Sequence, residues 1–436
     1  MLINQLTKIA GFYTLVDLIT KSIQAFIILI LAAIFNKSEF GSFAILSAVM
    51  QFLSVLVQGG VVEIVTPCLI TTVEKSQKIR NAFIFACSII IKRLLIIFAF
   101  SAIIILFLLT QGMVEFQSIK IGWYIIFAIA GILNGIANVY IPILTNAGEH
   151  NISIVFRAKL IIIQNIFGLS LALLFYDIKY YAVALILIPI LLFGKELIKI
   201  RVSKLKLLKY TDNVQINYFL VNSVLNWCPW YGLAFAIGVL LGKDAAAEYA
   251  LVTNIASVVL ITAGGFSQAF TSLQFRSDRS IADQSVGRVI AMQIILLSIL
   301  TTLILLFYNL LTYYELINQN YRHLHEKILI TLFSIVLSSA YFITVSLYSL
   351  SNRGLELLII SIISGTIASA CAFGGYAINK QLFPYIFFSI FFITRAALVC
   401  KNSGYVWRII LVQNKSIFNF SAVLFLVSLI ICIGFK

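Results

Sequence analysis

The chain has 436 residues, 61% of them hydrophobic and only 11% charged, and its mean hydropathy is +1.06. That balance excludes a water-soluble globular protein, in which about 45–50% apolar residues already fill the core. The formal net charge of +15 raises nucleic acid as a partner. The basic stretches, however, carry little interleaved aromatic residue and no binding motif, and the orientation of membrane spans accounts for most of them.

Runs such as 94–109 (LLIIFAFSAIIILFLL) approach the length that crosses a bilayer as helix. The period-2 alternation of barrel strands is absent, so the spans read as helices. The opening MLINQLTKIAGFYTL lacks a charged segment followed by a small-residue cleavage site, so the first span is expected to be an uncleaved anchor. In chain order, apolar stretches between charged or turn-forming gaps predict spans at 11–35, 40–69, 82–110, 121–146, 152–176 and 179–199. A second set follows at 215–241, 245–272, 286–312, 327–351, 355–379 and 381–403, and an additional stretch at 417–435 is left over.

The gaps alternate in charge. One face collects Lys75, Lys78, Arg80, Lys195, Lys199, Arg201, Lys204, Lys206, Lys209, Arg276, Arg279 and Arg288, while the other holds Lys37, Lys120, Lys179, Lys243, Arg322, Lys327 and Lys380. Cationic loops stay in the cytoplasm, so the N-terminus, the loop 195–214 and residues 404–416 are expected there.

The interruptions also repeat. FNKSEFGSF (35–43) and LGKDAAAEYA (241–250) align Lys37 with Lys243 and Phe43 with Tyr249 at an offset of 206. The same offset pairs Gly59 with Gly265, Asn146 with Asn352, Gly148 with Gly354 and Lys195 with Lys401. The fold expected is therefore all-α and polytopic: two six-helix bundles, 1–206 and 207–412, with an additional hydrophobic helix at 413–436. Six spans per half make the repeats parallel, related by a pseudo-two-fold axis along the membrane normal, an arrangement suited to transporters that rock one half against the other.

Polar groups inside spans then need an account, since each charge costs about 2.5–3.5 kcal/mol on insertion scales. In span one, Thr14, Asp17, Lys21 and Gln24 share a face, with Asp17 and Lys21 four apart and able to pair. Either they form a neutralised pair or they line a wet cavity. In span seven, Asn222, Asn226, Pro229 and Trp230 share a face, and Pro229 is expected to bend the helix. Span four carries Gly131, Asn134, Gly135 and Asn138 on one face, a close-packing pair beside two amides. Arg395 falls deep in span twelve, a position that suits a water-filled cavity better than snorkelling. Lys92, Arg93, Arg157 and Lys159 read as interfacial anchors. His323 and His325 read as solvated, and Cys68, Cys87, Cys228, Cys371, Cys400 and Cys432 as small buried residues. No catalytic constellation, phosphate-cradling glycine loop or metal cluster is apparent, so neither an enzyme nor a cofactor is expected.

LAAIFNKSEFGSFAILSAVMQFLSVLVQGG (31–60), with Glu39, Phe40 and Gly41 ahead of a span ending in Gly59 and Gly60, resembles the start of Wzx-type polysaccharide-export flippases of the MOP superfamily. TNAGEHN (145–151) is similar to that family's turn after span four. The resemblance covers the twelve core spans; the stretch at 417–435 departs from it. It implies an inner-membrane protein that moves undecaprenyl-diphosphate-linked O-antigen repeat units through a cationic central cavity. Lys21 and Arg395 would then receive the diphosphate, Gln24, Asn134, Asn138 and Asn226 would bond sugar hydroxyls, Trp230 would stack on a ring, and Asp17 would carry a coupling proton or sodium ion. An O-antigen polymerase and a chain-length regulator are the implied protein partners. A multidrug or cation antiporter of the same fold, and an O-antigen polymerase, are the rival readings.

Overall fold

The structure is a computed structural model that describes residues 2–62, 65, 82–98, 115–116, 118–146, 149–199, 213–274, 279–315, 317–350 and 353–402. The stretch 417–435, the loop 200–212 and the side chains of Thr14, Asp17 and Glu63 lie outside the described residues. In their described residues, the twelve core spans fall mainly on helix. The helices are α1 (Leu2–Ile34), α2 (Lys37–Gln58), α3 (82–98), α4 (Ile121–Asn146), α5 (His150–Phe175) and α6 (Tyr181–Lys199). Span seven is α7 (Asn213–Trp227), a wide π-turn (Cys228–Gly232) and α8 (Leu233–Leu240). Next come α9 (Lys243–Gln274), α10 (Arg279–Tyr313), α11 (His325–Leu337), α12 (Ser339–Leu350), α13 (Gly354–Ile378) and α14 (Phe383–Asn402). A two-residue hairpin, β1 (Glu115–Phe116) with β2 (Ile119–Lys120), pairs antiparallel ahead of α4. Among the described residues, eight helices are long and apolar enough to cross a membrane.

Large apolar side chains stand outward along these helices, among them Leu95, Leu174, Leu191, Leu240 and Phe373. Water would penalise such a surface and hydrocarbon does not, so the helices bury one stripe among themselves and present the rest to lipid. On α13 the buried stripe is Leu357, Ile360, Ser361, Ser364, Ala368 and Ala372, at helical spacing. Cys371, expected inside, is exposed, while Cys400 is buried.

The chain groups into two compact units, Met1–Lys37 with Glu248–Lys436, and Ser38–Ala247. The first unit thus takes α1 together with most of the later helices, and the second takes span seven together with spans two to six. These spatial groupings are not the sequence halves 1–206 and 207–412, and the duplication is carried forward as a proposal.

In the second unit, α4 packs on α5 and α6. Close approach there requires glycine. A Cβ on Gly131 would lie 2.2 Å from the Met50 carbonyl oxygen, and one on Gly135 would lie 2.8 Å from Val57. On Gly41 it would meet the Lys243 carbonyl oxygen at 2.0 Å. Gly131→Ala is therefore expected to push α4 off α2 and destabilise the protein by about 1–3 kcal/mol, the usual cost of overpacking. A thermal melt of the purified variant in detergent checks it, and an unchanged midpoint would refute the contact. Arg93, expected as a lipid anchor, instead caps α2: its Nη1 donates to the carbonyls of Leu56, Val57 and Gly59 at 3.3, 3.3 and 2.6 Å. A cation suits the carbonyl end of a helix.

In the first unit, α14 packs on α13, α11 and α12. Span ten, expected to be continuous over 327–351, breaks between α11 and α12 at Ser338. Ser338 Oγ donates back to Ile335 O at 3.1 Å and Ser334 Oγ to Ile330 O at 2.6 Å. Serines that bond their own backbone compete with the helical ladder, which is a physical reason for the interruption.

Candidate functional site

The expected site residues divide between the units. In the first unit, Lys21 is half-buried on α1 and its Nζ donates to Gln24 Oε1 at 2.5 Å, one turn on. Asp17 belongs to the same helix, and its side chain lies outside the described residues. Arg395 is fully buried, twelve residues into α14 and so about 18 Å along its axis. Its guanidinium carbon lies 4.3 Å from the ring centroid of Tyr341 on α12 and 5.5 Å from that of Phe391, one turn earlier on α14. A cation over desolvated rings gains about 2 kcal/mol. Two aromatic rings from α12 and α14 thus flank this residue.

In the second unit, Asn134 ties three helices together. Its Nδ2 donates to Ala130 O at 2.8 Å and to Leu185 O of α6 at 3.5 Å, and its Oδ1 accepts from Gln164 Nε2 of α5 at 3.3 Å. Asn138, one turn on, is exposed, and its Nδ2 reaches Ser54 Oγ of α2 at 3.5 Å. Asn226 is half-buried on the last turn of α7, and Trp230 is half-buried four residues later in the π-turn. The bend expected at Pro229 is thus a wide turn, a form that often marks functional sites. Trp227 fixes it from below: its Nε1 donates to Ala48 O at 3.2 Å, and its ring lies 4.9 Å from that of Phe52. Gly232 leaves room for that indole, since a Cβ there would lie 2.8 Å from Trp227 Cζ3.

One constellation escaped the sequence reading. Glu248, on the second turn of α9, accepts from Lys37 Nζ at 2.6 Å and Lys327 Nζ at 2.6 Å, and His323 Nε2 lies 3.2 Å from it. The carboxylate is 15% exposed, Lys327 8% and His323 51%. His323, expected to be solvated, therefore sits against a carboxylate, and Lys37 and Lys327 are ion-pair partners rather than free loop charges. Tyr321 and Tyr385 rings flank the two ammonium groups at 5.9 and 5.7 Å. One signal was available: Glu248 has no cation three or four residues away on its own helix, so its partners had to come from elsewhere. Among the described residues, no group of His, Cys, Asp or Glu is placed to hold a metal ion.

No family model matches the chain, and no curated protein sequence matches it. Solved structures do. The MATE multidrug transporter DinF-BH is 14% identical over 93% of this chain and 96% of its own, with a TM-score of 0.61. An outward-facing MATE family transporter of the MOP superfamily is 12% identical over 95% and 97%, with a TM-score of 0.59. Lipid II flippase MurJ, inward closed, is 14% identical over 97% and 96%, with a TM-score of 0.52. The chain is an all-α, multi-pass membrane protein, and its fold is the one seen in MATE transporters and in lipid II flippase MurJ.

Proposed function

We propose that the chain is a flippase that carries undecaprenyl-diphosphate-linked O-antigen repeat units from the cytoplasmic to the periplasmic leaflet of a bacterial inner membrane, with its N-terminus in the cytoplasm. The observation that carries this reading is Arg395, a fully buried cation in a transmembrane helix of a transporter fold. A permanently charged, planar guanidinium is the group best matched to phosphate oxygens. Lys21 would add a second positive charge in the same unit, and Gln24, bonded to it, would orient it. Asn138, Asn226 and Trp230 would meet sugar hydroxyls and a ring face, with Asn134 fixing the α4 surface that presents Asn138. Asp17 is the candidate for a coupling proton or sodium ion. The halves 1–206 and 207–412 would alternate access, and a polymerase and a chain-length regulator would act on the delivered unit.

A multidrug or cation antiporter is the second reading, favoured by the TM-scores of 0.61 and 0.59 to MATE transporters. A strain lacking the protein separates the two. Lipid-linked repeat units accumulating on the inner leaflet, with surface polymer lost, is the result expected. Normal polymer with altered drug sensitivity would transfer the protein to the antiporter class. Single repeat units still reaching the surface would point to the polymerase.

A further inference from the structure

Span nine turns its polar face inward. Between residues 290 and 310 of α10, every exposed side chain among the described residues is apolar, Met292, Ile299, Leu303, Leu306 and Leu310 among them. The buried face carries Gln293, Ser298, Thr301, Thr302, Tyr308 and Asn309. At about 100° per residue the two sets occupy opposite sides of the helix. Lipid accounts for the apolar side. It does not account for a polar side turned against other helices.

α10 packs on α11 and α12, and those helices bury the hydroxyl residues Thr331, Ser334, Ser338, Ser339 and Thr344. Towards its start, Gln293 Nε2 donates to Ala263 O of α9 at 3.3 Å. Towards its end, Tyr308 Oη donates to Tyr321 O in the short turn Gln319–Leu324 ahead of α11. Between them, Ser298 Oγ donates to Ile294 O at 2.8 Å and Thr302 Oγ1 to Ser298 O at 3.0 Å, one turn back on the same helix. Three groups remain unmet. Among the described residues, Gln293 Oε1, Thr301 Oγ1 and Asn309 Nδ2 have no hydrogen-bond partner, although these residues are only 0%, 6% and 4% exposed. They recur every eight residues, about 12 Å, so together they cover about 24 Å of a hydrocarbon core about 30 Å thick.

Buried polar groups in native interiors bond either to protein or to ordered water, and a single unmet one is an anomaly. Three at regular steps on one buried face form a pattern. The groups also select their ligand, because all of them are neutral. A cation would find no carboxylate on α10 after Asp283, ten residues before Gln293, none on α12, and on α11 only Glu326 in the first turn. An amide oxygen, a hydroxyl and an amide N–H suit a ligand that both accepts and donates, which is water.

We propose that the inner face of α10 lines an internal water seam in the first unit, with Gln293, Thr301 and Asn309 as its bonding points. The seam is independent of what the protein carries.

The test uses the full-length protein in lipid nanodiscs, with hydroxyl radicals made from water by a brief X-ray pulse and the oxidised side chains read by mass spectrometry. Leu297, Leu305 and Tyr308, buried on the seam side, are expected to be oxidised about tenfold faster than Leu303, Leu306 and Leu310, which face lipid. Oxidation no faster than on the lipid side overturns the proposal, since protein would then satisfy the three groups. Thr301→Val keeps the shape and removes one water partner. It is expected to melt at or above the parent temperature, while oxidation of Leu297 and Leu305 falls about threefold. Unchanged oxidation in this variant also counts against the seam. A midpoint raised by sodium chloride over choline chloride in the parent, and not in Thr301→Val, would overturn it in favour of a cation site.

Discussion

Glu248→Gln is expected to lower the stability of the protein by about 3 kcal/mol, more than any single substitution on its lipid-facing surface. The carboxylate holds two ammonium groups at 2.6 Å, and Lys327 is nearly enclosed. Neutralising it leaves Lys327 as a charge in a low-dielectric interior, and breaking a buried pair from one side typically costs about 3–5 kcal/mol. The partial exposure of Glu248 places the expectation at the lower end. The effect comes from the abandoned cation rather than the lost attraction, so Glu248→Gln with Lys327→Met is expected to recover more than half of the loss. Tryptophan-fluorescence melts of the three proteins in one detergent decide the matter. An unchanged midpoint for Glu248→Gln would mean that the cluster is an ornament of the surface.

Arg395→Met is expected to reduce export of surface polymer at least tenfold in a complemented deletion strain, and Arg395→Lys to do nearly the same. The lysine keeps the charge but loses the planar face that lies over Tyr341 and the fork that addresses phosphate oxygens in pairs. Stability should move differently. Methionine keeps an apolar contact with the two rings, so Arg395→Met is expected to remain folded, with a cooperative melt, while transport fails. Full complementation by Arg395→Met would make the arginine dispensable and leave the proposed function without its main support.

Much of the architecture could be read from residue order, because a helix that must cross hydrocarbon advertises itself by length and apolarity. The described residues of the twelve core spans fall mainly on helix for that reason. The close-packing role of Gly131 and Gly135 was legible too, since small residues four apart suit helix contact. What escaped was whatever depends on a distant partner. Glu248 meets Lys37 across 211 positions and Lys327 across 79, separations that no local pattern encodes. The break at Ser338 has no proline or glycine to announce it, only serines whose bonding depends on how the chain has already folded. Arg395 stood out as a charge in an apolar run, and Phe391 lay one turn away in plain view. Tyr341, from another helix, did not.

The π-turn at Cys228–Gly232 has a mechanical consequence. It holds one residue more than an ordinary turn would, so span seven carries slack of about 1.5 Å along its axis and about 100° around it. Slack of that kind can slide along a helix as a wrinkle slides along a rug. Each residue it passes is re-aimed by a quarter turn or so while the ladder behind it closes again. Trp230 sits inside the wrinkle and Asn226 one turn before it. A helix built this way can turn its polar face without being broken.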